Sequence, residues 1–149
     1  MCTITDSVWK KVQTLPLKDA ALHLWRYRHE FDVLEFPMST WAPHADEPDQ
    51  TKKMQLIAAQ IRHEHDFAHQ GPTFDRLKRA QPQAGDEDVR DAIRAALKMW
   101  DDCDRHFDRN WSDLGRAVDD ALAKAKRQNP GFQDETWQHA YHWLCYFWK

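Results

Sequence analysis

Between Asp86 and Trp111 the apolar residues Val89, Ile93, Ala96, Trp100, Cys103, Phe107 and Trp111 recur every three or four positions. A stripe with this 3.6-residue repeat cannot belong to a strand, whose faces alternate every two residues. Asp86, Glu87 and Asp88 place negative charge in the first turn, where the helix dipole is positive. The outer face offers charge pairs four apart, Asp86 with Arg90 and Asp101 with Arg105. A helix with one long apolar stripe must bury it against other elements, so the remaining question is what those elements are.

The rest of the chain reads as more helices. Asp6 is placed to cap a short first helix with Val8, Val12 and Leu15 on one side. A second begins near Pro16 and carries Leu17, Ala20, Ala21, Leu24, Phe31 and Leu34, with Trp25 widening the stripe, up to Pro37. Met54, Ile57, Ala58, Ile61, His65 and Ala68 mark a third, stopped by Gly71-Pro72. A short piece from Phe74 to Ala80 ends before Pro82. Beyond caps at Asn110, Ser112 and Asp113, the pattern resumes through Leu114, Val118, Ala121, Leu122 and Ala125 and stops at Asn129-Pro130-Gly131. The last helix starts at Asp134, with Trp137, Tyr141, Leu144 and Trp148 on one stripe and His139, Trp143 and Tyr146 on the far side.

Only four glycines and few β-branched residues leave little for hairpins. The expected fold is therefore all-α: a single compact bundle of about five to seven helices. One domain spans residues 1–149, interrupted by a Pro-rich connection at 37–50 in which Trp41 pins the loop to the body.

Composition narrows the class. A chain of 149 residues, 42% hydrophobic and 30% charged, suits a single globular core. A net charge of -3 gives no electrostatic reason to expect DNA or an anionic membrane as partner. No apolar run is long enough to span a bilayer, and the start MCTITDSVWKK lacks the apolar stretch of a signal peptide. Cys2, Cys103 and Cys145 are odd in number and unclustered, which suits neither a disulfide framework nor a thiolate zinc site. A cytoplasmic location is the expectation.

The residues with most chemical potential lie in IRHEHDFAHQG, residues 61–71. On a continuous helix, His65 and His69 share one side and could hold a metal such as zinc if a third ligand joined them. Asp102 with His106, and Glu135 with His139 and His142, are comparable pairs, but the Glu-x-x-His sets of a di-iron bundle are missing, and no cofactor is expected. Arg62 and His69 also enclose six residues, with polar His63 directly after the arginine. This Arg-x(4–6)-His spacing, in RHEHDFAH, resembles the motif of HEPN (higher eukaryote and prokaryote nucleotide-binding) ribonucleases, with His63 where that family most often has Asn. The resemblance implies a small all-α fold, often dimeric with a composite active site, that cleaves RNA without metal. It makes His69 the acid–base residue and Arg62 the holder of the scissile phosphate. The residues themselves also allow a plainer pairing of Arg62 with Asp66, one turn on, and a His69 favoured by the helix C-terminus.

Other nucleophiles have less around them. Cys103 and Cys145 lie among aromatics as inert filling, and Ser7, Ser39 and Ser112 lack a glycine-rich elbow. The acidic run of 86–104 reads as a solvated helix face. Eight tryptophans remain to be explained. Most should be buried anchors, but Trp137, Trp143 and Trp148 cannot all face one direction. Part of the last helix is thus expected to face another protein or a second copy, with Trp137, His139, Trp143 and Tyr146 as binding residues. The leading functional expectation is a non-catalytic protein-binding module, of small inhibitor, immunity or accessory-subunit type, using an aromatic and acidic helical surface. The alternatives are the HEPN-like ribonuclease and a metal-binding bundle.

Overall fold

The computed structural model describes residues 3–148, so Cys2 lies outside the described residues. The described chain is all-α and divides into two units, residues up to Ile93 and residues from Arg94 onward. None of its helices is long and apolar enough to cross a membrane.

The first unit opens with α1 (Ile4–Val12). Thr3, not Asp6, is its cap: the Thr3 hydroxyl accepts from the Asp6 amide at 3.1 Å while the Asp6 carboxylate accepts from the Thr3 amide at 3.2 Å. Asp6 is the third-residue half of that capping box. Val8 and Val12 are buried.

The long second helix expected from the sequence is two helices, α2 (Leu17–Arg26) and α3 (Arg28–Glu35). The break follows from Arg28, whose Nη1 donates to the Trp25 carbonyl at 2.9 Å. That carbonyl would take the His29 amide in an unbroken helix. Ala20, Ala21, Leu22, Leu24 and Trp25 are buried, but Leu34, expected in the stripe, is 69% exposed because α3 turns a different face inward.

The Pro-rich connection contains the short α4 (Met38–Trp41). Trp41 does anchor it: its indole N–H donates to the Phe36 carbonyl at 3.2 Å, and its ring meets His29 edge-on. Then comes α5 (Gln50–Asp66), capped by Asp49, which accepts from the Lys52 amide at 3.1 Å.

This helix ends at Asp66 rather than at Gly71-Pro72, because the chain tightens into a 3₁₀ turn (Ala68–Gln70) that buries Ala68. Pro72 instead opens α6 (Pro72–Ala80), where a missing N–H costs nothing. Helix α2 packs on α1 and α6. Gln81 ties the end of α6 to α1 by donating to the carbonyls of Val12 and Leu15, two acceptors a helix end leaves open.

Helix α7 (Asp86–His106) begins in the first unit with the expected acidic turn. Its ion pairs include Asp86 with Lys78, Arg90 with Glu87 at 2.6 Å, and Arg105 with Asp102 at 2.6 Å. In the second unit α8 (Leu114–Gln128), capped by Asp113, packs on α9 (Asp134–Trp148). Gly131 takes the left-handed conformation, φ 96°, that reverses the chain between them. Met99, Cys103, Phe107, Val118, Ala121, Ala125, Trp137, Ala140 and Leu144 are buried. Trp111, read from the sequence as core, lies past the end of α7 and is 37% exposed.

Candidate functional site

Helix α5 lies at the surface, and its half-buried side is largely polar. Lys53, Ile57, Gln60 and Glu64, spaced three or four apart, are its half-buried side, and none of its residues is fully buried. Met54, Ala58 and Ile61 form the exposed side, Met54 at 55% and Ile61 at 53%. The inward residues are held by specific bonds. The Gln60 amide nitrogen donates to the Trp41 carbonyl at 3.0 Å and to Glu64 at 3.1 Å. Because both neighbours are acceptors, the nitrogen must be the atom that faces them. The Gln60 amide oxygen is then left buried without a partner.

Glu64 also meets Arg28 at 3.4 Å. The Arg28 guanidinium lies 3.8 Å from the centre of the Trp25 ring, a cation–π stack. Burial lowers the pKa of Arg28, and the Glu64 carboxylate works against that shift.

Behind α5 lies a cavity of about 390 Å³ within the first unit. Trp25, Phe36, Trp41 and Phe67 contribute to its walls, together with Gln60 and Arg76. Arg76 is only 1% exposed. Its Nε and Nη2 donate to Glu35 at 3.1 and 3.0 Å, and Nη2 reaches Asp32 at 2.6 Å. Its Nη1 is buried without a hydrogen-bond partner, and the guanidinium lies over the Phe31 and Phe36 rings at 5.3 and 5.9 Å. Three guanidiniums, Arg28, Arg76 and Arg79, are thus matched by three carboxylates, Asp32, Glu35 and Glu64.

The residues expected to carry function scatter relative to this cavity. Arg62 is exposed on α5, and His69 is in the 3₁₀ turn beyond the helix end, so the two do not share one helical flank. Asp66 lies 3.3 Å from His65. His65 itself sits edge-on to Trp25, while His69 meets Gln70. Among the described residues no three His, Cys, Asp or Glu side chains gather as a metal-binding group.

On α9, Trp137 is buried, and Trp143 stacks on Trp100 with ring centres 3.7 Å apart and planes 13° from parallel. Trp148 stacks likewise on Phe107. Trp143, half-buried, is therefore stacked within its own unit. His139 is half-buried, and Tyr146, 69% exposed, is the member of the expected set that faces solvent.

Sequence reasoning missed Gln60 and Arg76 as site residues, since neither stands in a motif. The only trace of them was Gln60 and Glu64 one turn apart beside the apolar stripe of α5. No protein family, no curated protein and no solved structure matches this chain.

Proposed function

We propose that the protein is a non-catalytic protein-binding module that works through the outward face of α5, and that its partner is a second copy of the same chain. The observation that carries this is the orientation of α5, with Gln60 and Glu64 turned in and Met54, Ala58 and Ile61 turned out. An apolar side chain left in water forgoes the roughly 1.5–3 kcal/mol that full burial brings, so a partner that covers the stripe recovers it. Charge supports a second copy. Lys52 is exposed in the first turn of α5 and Asp66 at its last residue, the reverse of what the helix dipole favours. Antiparallel pairing turns Lys52 of each helix toward Asp66 of the other. Ala58 then falls near the two-fold axis, where a small side chain lets the helices approach.

A single helix pair is a small interface, so a concentration-dependent monomer–dimer equilibrium is expected rather than an obligate dimer. Sedimentation velocity over a roughly hundredfold concentration range reads it directly. Ile61→Asp should raise the dissociation constant more than about tenfold while leaving the helical circular dichroism unchanged. A wild-type chain that stays monomeric throughout that range overturns the reading. Metal-independent RNA cleavage that disappears in His69→Ala would overturn its non-catalytic part.

A further inference from the structure

The first unit keeps a cavity that its own side chains do not fill. At about 390 Å³ it is more than twice the roughly 150 Å³ of an apolar cavity that holds benzene. Most of its wall is carbon surface, contributed by Trp25, Phe36, Trp41, Phe67, Ala68 and Pro72. The charged groups around it are engaged with one another, Arg28 with Glu64 and Arg76 with Asp32 and Glu35. The Gln60 amide nitrogen is likewise taken, by the Trp41 carbonyl and Glu64. The Gln60 amide oxygen and Arg76 Nη1 expose essentially no surface, so the cavity does not present them.

We propose that this cavity takes up the hydrocarbon part of a small molecule, an apolar group the size of one or two rings with no polar atom inside the wall. A water molecule is held well only by two to four polar partners, and a carbon wall gives few. An apolar group that displaces loosely held water covers that wall and finds the dispersion contacts the protein leaves unmade. The volume falls in the lower range of small-molecule sites. The site lies on the inner side of α5 and needs nothing from the outer face through which the chains associate.

The test uses the full chain with toluene, ethylbenzene and propylbenzene. Binding is followed by nitrogen–proton correlation spectra of the tryptophan indoles, with the Trp25 and Trp41 signals assigned from single Trp→Phe variants. Saturable movement of those two signals is expected, with affinity rising about fourfold for each added methylene. Phenol, which puts a hydroxyl in place of the methyl of toluene, should bind at least about tenfold more weakly than toluene. Gly71 lines the cavity, and a Cβ there meets the Phe67 carbonyl oxygen at 3.5 Å, an ordinary contact. Gly71→Leu, which sets an aliphatic side chain in the wall, should weaken toluene about tenfold. Should that variant fail to fold, the comparison of phenol with toluene still decides, because it is made on the wild-type chain. Indole signals that stay still, or move without saturating, up to the solubility of each hydrocarbon overturn the proposal. So does phenol binding as tightly as toluene, or a folded Gly71→Leu chain that binds toluene unchanged.

Discussion

Asp102 shows how one residue can stand apart from the surface it was read into. It was expected within a solvated acidic face, yet it is 6% exposed and accepts from Lys98 at 2.9 Å, Arg105 at 2.6 Å and Asn129 at 2.8 Å. Burial by itself would raise its pKa. The hydrogen bonds from Asn129 and Lys98, with the charges of Lys98 and Arg105, outweigh burial and hold the carboxyl below its ordinary value. A carboxyl depressed in the folded state stabilises above its unfolded pKa, near 3.9, and loses that contribution as pH falls through the folded value. Asp102→Ala should therefore cost about 1–3 kcal/mol in urea unfolding at neutral pH. The gap between wild type and variant should close below about pH 4; a gap constant down to lower pH would show that the charge is not what stabilises. Its neighbour Cys103 is fully buried, and burial, with Asp102 and Asp104 adding, pushes the thiol up to about 12. Iodoacetamide at neutral pH should accordingly leave Cys103 unmodified in native protein and alkylate it only in denaturant, as read by peptide mass spectrometry.

At the scale of elements, α5 departs from the role its sequence suggests and α9 is divided. The apolar stripe of α5 looked like core and is largely exposed, whereas on α9 Trp143 and Trp148 stack within the unit and Tyr146 and Phe147 are exposed. Stacking explains the second case. A ring pair 3.7 Å apart between Trp100 and Trp143 gains area on both faces, beyond what spacing along either helix conveys. Trp143→Ala should lower stability by about 2–4 kcal/mol, toward the lower part of the range for large aromatic truncations because Trp143 is half-buried. Tyr146→Ala, at a 69% exposed position of the same helix, should change stability by less than about 0.5 kcal/mol. Equal losses in the two variants would mean that the stack does not hold α9 in place.

For the whole molecule, self-association through α5 links stability to concentration. A dimer that forms only from folded chains raises the apparent melting temperature as protein concentration rises. That dependence should be present in wild type and absent in Ile61→Asp, with both chains melting alike at the lowest concentration. A melting temperature independent of concentration in wild type would count against the interface. The second unit offers Tyr146 and Phe147 as exposed aromatics on α9. Loss of association in Tyr146→Ala but not in Ile61→Asp would move the interface there.

The all-α class was legible from residues alone, because the period of apolar side chains and the placement of Pro and Gly act within one turn of the chain. The acidic start of α7, the Asp113 cap and the reversal at Gly131 belong to that local physics. Which stripe is covered is not local. Met54 and Ile61 follow the same period as Val89 and Ile93, but only the latter are buried, since burial depends on what the rest of the chain brings alongside. The break at Tyr27 was hidden for the same reason: the Arg28 side chain competes for a backbone carbonyl, and spacing does not reveal where a side chain turns. Nor could the sequence show the cavity. Arg76, Gln60 and Trp25 lie far apart along the chain, and nothing in their own segments marks them as neighbours. Helical periodicity was thus settled by sequence, while the choice of inward face on α5 and α9, and with it every candidate site, was made only when the helices packed.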